Sequence, residues 1–348
     1  MDPLTHFLTG ACIGRAGLNR KTALATLTLT LATESPDVDI LAYFGGSVTG
    51  FAHHRGITHS LLGAPILAAL IVALVWGIYS FLKARGRDTK SPPNWKLLYL
   101  YAILGCLVHL FQDFTNNYGV RPFAPFNPKW YAWDIVYIID PVMLAAMLLA
   151  LIVPGILRLV SDEVGSAKSP FRGRGAAIAA LACLAMIILF RDFEHRRAVA
   201  MMRSVTYHNQ EAVRLSAFPS PLNPFEWNGV VETQSSFELF PLNVNSGQID
   251  PDNQSVIHYK PEETAASLAA KKSRLGQVYL DWAQYPLTET QRLPGNEGYQ
   301  ITFADLRFVD THLPAGGRRS RPLRAFVLLD PQLHIQEMAF GPPPSDGN

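Results

Sequence analysis

The sequence predicts a mainly α polytopic membrane domain, an N-terminal helical hairpin plus about four transmembrane helices, followed by a small α+β domain. Three observations carry this. Long apolar runs are confined to the first 195 of 348 residues. Within them, Ser60 to Leu82 has no formal charge over a length that matches the roughly 20 residues needed to cross about 30 Å of hydrocarbon. Beyond Pro219 the pattern changes to alternating apolar and polar residues punctuated by Pro, Gly and Asn.

The hairpin is read from Leu4 to Ala16 and Thr22 to Ala32, two apolar stretches too short to span singly, joined by the turn-like Gly17-Leu18-Asn19-Arg20-Lys21. Such a hairpin returns the chain to its starting side and brings His6 toward Asp37. After Ser60 to Leu82, the further spans are Leu97 to Phe114, Ile135 to Leu157 and Gly175 to Phe190, the last short and reliant on snorkelling ends. These boundaries predict a membrane domain over 1–195, a connector over 196–218, an extramembrane domain over 219–341 and a disordered tail over 342–348. In the extramembrane domain, Val230 to Leu239, Tyr299 to Phe308 and Arg324 to Leu329 read as strands, and Glu262 to Trp282 as one amphipathic helix.

Short cytoplasmic loops retain Lys and Arg. Lys83, Arg85, Arg87, Lys90 and Lys96 share one side with Arg158, Lys168, Arg172 and Arg174, and with Arg15, Arg20 and Lys21 of the hairpin turn. Segments 34–59 and 115–134 and the C-terminal domain then face outward. Arg191, Arg196, Arg197 and Arg203 run against the bias, which binds long translocated domains less strictly. The start lacks a basic n-region and a small-residue cleavage pattern, so Met1 is expected to remain. A net charge of +2 with no basic stripe sets nucleic acid aside as a partner. Cys12, Cys106 and Cys183 lie in apolar segments without CxxC spacing and read as small buried hydrophobes.

Chemistry concentrates in three places. His109 and Asp113 stand at i, i+4 on one face of an apolar helix, a costly placement unless they meet a partner or cavity; the bland reading is a hydrogen bond locking two helices. Glu34-Ser-Pro-Asp37-Val-Asp39 puts two carboxylates after the hairpin, where capping is the simpler account. His53-His54-Arg55-Gly56-Ile57-Thr58-His59-Ser60 stands at a membrane boundary, where such a run also serves as interfacial polar residues. Jointly, imidazoles and carboxylates suit Zn²⁺, Mn²⁺ or Fe without selecting among them. Arg55 is expected to clamp an anionic group such as a phosphate, and Thr58 or Ser60 to position the loop. Trp130 to Trp133 reads as interfacial anchoring and is placed to border a lipid-like substrate.

These residues carry a resemblance. An N-terminal His in a short helix (His6), Pro-Asp-x-Asp (Pro36 to Asp39), His-Arg-Gly-x-Thr-His-Ser (His54 to Ser60) and His-x-x-x-Asp (His109, Asp113) stand in order, with Asp134 and Ile-Asp-Pro at 139–141 following. Met1 to Pro141 resembles the membrane-bound metal-dependent hydrolase family of bacterial inner membranes, the YdjM-like, LexA-regulated group. Pro221-Leu-Asn-Pro-Phe-Glu-Trp and Val231-Glu-Thr extend the likeness into the C-terminal part. The resemblance implies a multi-pass inner-membrane protein and metal-assisted hydrolysis of a lipid, phosphoester or envelope substrate at the outer face. The residues expected as ligands are His6, Asp37, His59, His109 and Asp113, with Asp39 and His54 as further ligands or orienting groups and Arg55 on substrate charge. Two competing readings stay open: a non-enzymatic membrane protein, either an ion or proton transporter using His109 and Asp113 or a metal-stabilised scaffold, and an envelope-binding tail that the membrane part only anchors.

Overall fold

A computed structural model describes residues 1–89, 91–163, 173–208, 210–309, 311 and 323–342. Lys90, Lys168, Arg172 and the expected tail beyond 342 lie outside these. In chain order the helices are α1 (Pro3–Arg15), α2 (Ala25–Glu34), α3 (Ser47–His53), α4 (Gly63–Ala84), α5 (Trp95–Thr115), α6 (Pro141–Glu163), α7 (Arg174–Arg203), α8 (Pro251–Gln254), α9 (Ala265–Lys272) and α10 (Arg274–Trp282). Eight strands follow α7 in sequence: β1 (Arg214–Pro219), β2 (Glu226–Glu232), β3 (Ser236–Asn243), β4 (Val256–Tyr259), β5 (Pro286–Arg292), β6 (Tyr299–Asp305), β7 (Ala325–Leu329) and β8 (Ile335–Phe340). The chain divides into two units, Met1–Ile40 with His54–Asp192, and Leu41–His53 with Phe193–Asn348.

In the first unit α1 and α2 form the hairpin. Asp2 accepts a hydrogen bond from the Thr5 amide and caps α1, with Pro3 at the first turn. The two helices approach closely because Gly10 and Gly14 of Gly10-Ala-Cys-Ile-Gly14 face α2. A Cβ at Gly10 would stand 2.7 Å from Leu29 O and 2.8 Å from Thr30 Cα. Small residues spaced by four let helix backbones meet in membranes, and Gly105 of α5 repeats the device against Ala32. Gly10→Val is expected to destabilise the unit by about 1–3 kcal/mol, since the backbone atoms of Leu29 and Thr30 obstruct it along with the Thr33 hydroxyl; a thermal unfolding midpoint unchanged in detergent would refute the close approach.

Among the described residues, α4, α5 and α7 are long and apolar enough to cross a bilayer, and α6 carries a shorter apolar stretch, Pro141–Leu157. The expected span from Ile135 is corrected, because its helix starts at Pro141. Ile135 and Val136 run extended, both amides bonding Thr115 O at 3.1 Å, and Asp140 Oδ1 accepts from the amides of Val142 and Met143 to start α6. The α7 helix outruns Gly175 to Phe190 at both ends, and within 196–218 lie its final turns and strand β1. At one end of the unit Arg174 donates to Ala16 O and the Asn94 amide to Thr22 Oγ1, so the hairpin turn, the start of α5 and the start of α7 gather there.

The second unit holds two antiparallel meanders, β1-β2-β3-β4 and β5-β6-β7-β8. Phe218, Val230 and Leu239 of the first pack with Tyr285, Leu287 and Leu306 beside the second in a buried core. The expected strand Val230 to Leu239 is two strands, for Thr233 Oγ1 accepts from the amides of Ser235 and Ser236 and turns the chain. The expected helix Glu262 to Trp282 breaks at Ser273, which is extended (φ −62°, ψ 159°) and caps the Gly276 amide. Tyr299 to Phe308 stops as a strand at Asp305, whose carboxylate accepts from the Arg307 amide and guanidinium and starts a 3₁₀ turn.

Candidate metal centre

Four elements bring the site together, and the residues they contribute all lie in the first unit. The long 3₁₀ segment Ser35–Gly45 carries Asp37 and Asp39. The loop before α4 carries His54, Arg55 and His59, the last two turns of α5 carry His109 and Asp113, and α1 carries His6.

One oxygen each from Asp37 and Asp113 and one nitrogen each from His59 and His109 lie within 4.8 Å of one another. His59 Nε2 is 3.2 Å from Asp37 Oδ1, 3.0 Å from His109 Nε2 and 3.3 Å from Asp113 Oδ2. His109 Nε2 is 3.6 Å from Asp37 Oδ1 and 3.3 Å from Asp113 Oδ2. Donors about 2.1 Å from a tetrahedral ion stand about 3.4 Å apart, so five of the six edges have the separation an ion imposes.

The far nitrogens show which atoms face inward. His109 Nδ1 lies 2.7 Å from Thr33 O, an acceptor only, so this nitrogen carries the hydrogen and Nε2 is left with its lone pair. His59 Nδ1 lies 3.2 Å from Asp39 Oδ2, with the same consequence. Two imidazole lone pairs and two carboxylate oxygens then converge, and Asp113 Oδ2 is buried without a hydrogen bond. A divalent cation fits this set, and the carboxylate and carbonyl behind each imidazole are the partners that orient metal-binding histidines.

The carboxylates also set the charge of His59. Burial opposes a charged His59, yet its contacts with Asp113, Asp37 and Asp39 outweigh that and carry its pKa to about 10. Burial would also raise Asp37, but the hydrogen bond to His59 wins and holds it at about 2. Three carboxylates face one guanidinium, Arg55, and the Met1 amino group, which lies against Asp113 Oδ1. Without an ion, a second proton on His59 supplies the third positive charge, and a divalent cation would displace that proton.

Residues 1–198 match the family model described as "YdjM inner membrane protein". The chain belongs to that family. It is an inner-membrane protein by this membership and by its apolar helices. A Bacillus subtilis (strain 168) protein described as "Uncharacterized protein YfhP" is 26% identical over 159 residues, 43% of this chain and 45% of that one. The match therefore covers less than half of that relative's length. No solved structure matches.

The family's motif residues take distinct places. Asp39 is the hub of the His54–His59 loop, accepting from the Arg55 amide at 2.7 Å and from His54 Nδ1 at 3.3 Å. Ser60 ties the loop by donating to Ile57 O and accepting from the Gly63 amide. Arg55, expected on substrate charge, is turned toward the centre. Its backbone is left-handed (φ +51°), its side chain is buried, and its guanidinium pairs with Asp113 Oδ1 at 2.8 Å and donates to Gly119 O at 2.8 Å. His6 stands beside the four converging atoms, stacked on His109 with centroids 3.7 Å apart. Its Nδ1 meets Gln112 Oε1 at 3.0 Å and its Nε2 lies 3.4 Å from the other oxygen of Asp113. Asp140 pairs with Arg191 at 3.2 Å, away from the centre.

Sequence reasoning missed Gln112 and Asn116. Both are buried polar neighbours of the centre, with Asn116 Oδ1 accepting from Arg55 at 3.2 Å. The signal was present as 109, 112, 113 and 116, an i, i+3, i+4, i+7 polar stripe on an apolar helix.

Proposed function

We propose that this protein is a metal-dependent hydrolase whose centre faces the outer side of the inner membrane, with Asp37, His59, His109 and Asp113 as ligands of a divalent Zn, Mn or Fe ion. The observation that carries the reading is the convergence of four acceptor atoms whose imidazoles each turn their N–H outward. A bound ion of this kind supplies Lewis-acid activation of water and of the scissile bond. Arg55 holds the far oxygen of Asp113 and so fixes which oxygen points inward. Asp39 orients His59 and, through its other oxygen, His54. That imidazole is partly open to solvent and placed to accept or return a proton. The gathering of Arg174 and the basic hairpin turn at the opposite end of the unit supports a cytoplasmic end there and an outward centre here.

The test is hydrolysis of a panel of phosphoesters and lipids by detergent-purified protein, before and after chelation and after restoring Zn²⁺, Mn²⁺ or Fe²⁺. Turnover that vanishes on chelation and returns with one metal is expected; turnover indifferent to metal would overturn the reading. Asp39→Asn keeps all four ligands but weakens the support of His59 and is expected to reduce metal affinity about 10–100-fold. Competition with a fluorescent chelator measures this, and an unchanged affinity would show that Asp39 only holds the loop.

A further inference from the structure

Asp37 and His54 are 23% and 24% exposed, while the ligands His59, His109 and Asp113 are fully buried. The surface next to these two side chains is apolar. Ile40 is 65% exposed, Ile57 54%, Leu61 50% and Phe126 84%. Segment 121–126 is joined to the site loop, since the Leu61 amide donates to Pro122 O at 2.9 Å and Arg121 donates to His54 O at 3.0 Å.

This rim is continuous with the lipid-facing side of a span. Leu62, Ile66, Leu70 and Leu74 are exposed at i+4 spacing, one stripe that begins at the N-terminal end of α4 and adjoins Leu61. Depth agrees. His109 lies six residues before the end of α5, about 9 Å at 1.5 Å per residue, and Asp113 lies nearer that end. The centre is therefore at the boundary layer and not at the midplane. Lys129 and Arg121 stack on Tyr131 and Trp130, pairing cations with the aromatic side chains typical of the head-group layer. A soluble enzyme would have no reason to expose such a patch around its opening.

We propose that the rim sits in the interfacial layer of the outer leaflet and that the centre takes the phosphorylated head group of a membrane lipid, arriving sideways from the bilayer. This rests on the metal-dependent reading above and narrows its substrate class. The acyl chains stay against the exposed apolar rim while the anionic head group reaches the ion beside Asp37 and His54.

Two readouts on the full chain in nanodiscs of phosphatidylcholine and phosphatidylglycerol test this. Spin labels at Ile40→Cys, Ile57→Cys and Phe126→Cys, corrected for labelling of the unsubstituted chain, report collision with oxygen and with a water-soluble nickel chelate. Gln332→Cys, on an exposed turn, is the solvent control. Oxygen is expected to exceed the chelate at the three rim positions and the reverse at Gln332; chelate exceeding oxygen at the rim overturns the proposal. In the second readout the protein is loaded with Mn²⁺ and the ³¹P relaxation of phosphatidylglycerol is followed. Faster relaxation than in His109→Ala discs is expected, with added inorganic phosphate unaffected. Inorganic phosphate relaxed as strongly as the lipid overturns the lipid assignment and leaves the hydrolase reading standing. A chain that binds no Mn²⁺, counted from the signal of the free ion, removes the hydrolase reading and the head-group assignment together.

Discussion

Elemental mass spectrometry of the purified protein is expected to find one equivalent of a divalent transition metal, and His109→Ala to lose it. His109 contributes to three of the five close donor separations, and its Nε2 keeps its lone pair for an ion once Nδ1 donates to Thr33 O. Removing a direct donor exceeds the 10–100-fold cost of removing a supporting residue, so near-complete loss at ordinary metal concentrations follows. Circular dichroism and gel filtration establish that the variant is folded. Asp37→Asn, in the 3₁₀ segment outside the spans, gives a second route to the same loss. If both wild type and variants stay metal-free after reconstitution with Zn²⁺, Mn²⁺ and Fe²⁺, the four groups are a protonated packing network or a proton relay.

The second large effect concerns stability. Arg55→Ala in chelated protein is expected to cost about 3–5 kcal/mol, because the Asp113 carboxylate is left buried with its nearest guanidinium gone. Surface pairs lose about 1 kcal/mol or less, so a loss of that size would mean the pair is hydrated. The double variant Arg55→Ala with Asp113→Ala should lose less than the sum of the single changes, since the carboxylate that Arg55 balances is gone as well. Added metal should recover part of the Arg55→Ala loss by supplying the missing positive charge to Asp113.

Much of the architecture was legible because it depends on periodicity over short windows. The uncharged run from Ser60 to Leu82 permits little but a spanning helix, and the turn at Gly17 to Lys21 marks a hairpin without long-range information. Failures came where a single side chain stops an element. Asp140 starts α6 six residues late, Thr233 turns a strand into a hairpin, and Ser273 splits a helix whose apolar pattern runs through it. Each is a local hydrogen bond that overrides a correct period.

For the site, the sequence by itself offered the donor types and their carriers: His6, Asp37, His59, His109 and Asp113 stand in motifs whose chemistry suits a divalent ion. It also determined that they meet near one membrane face, since a hairpin and antiparallel spans return these segments to the same end. Only the tertiary structure decided which atoms converge. Arg55 turns inward to Asp113 instead of outward to a substrate, and His6 turns to Gln112 and the far oxygen of Asp113. The reason is that a buried charge is stable only with its counter-charge, and a buried imidazole N–H only with an acceptor. Those partners come from segments more than a hundred residues away in the case of His6, beyond the reach of any local pattern.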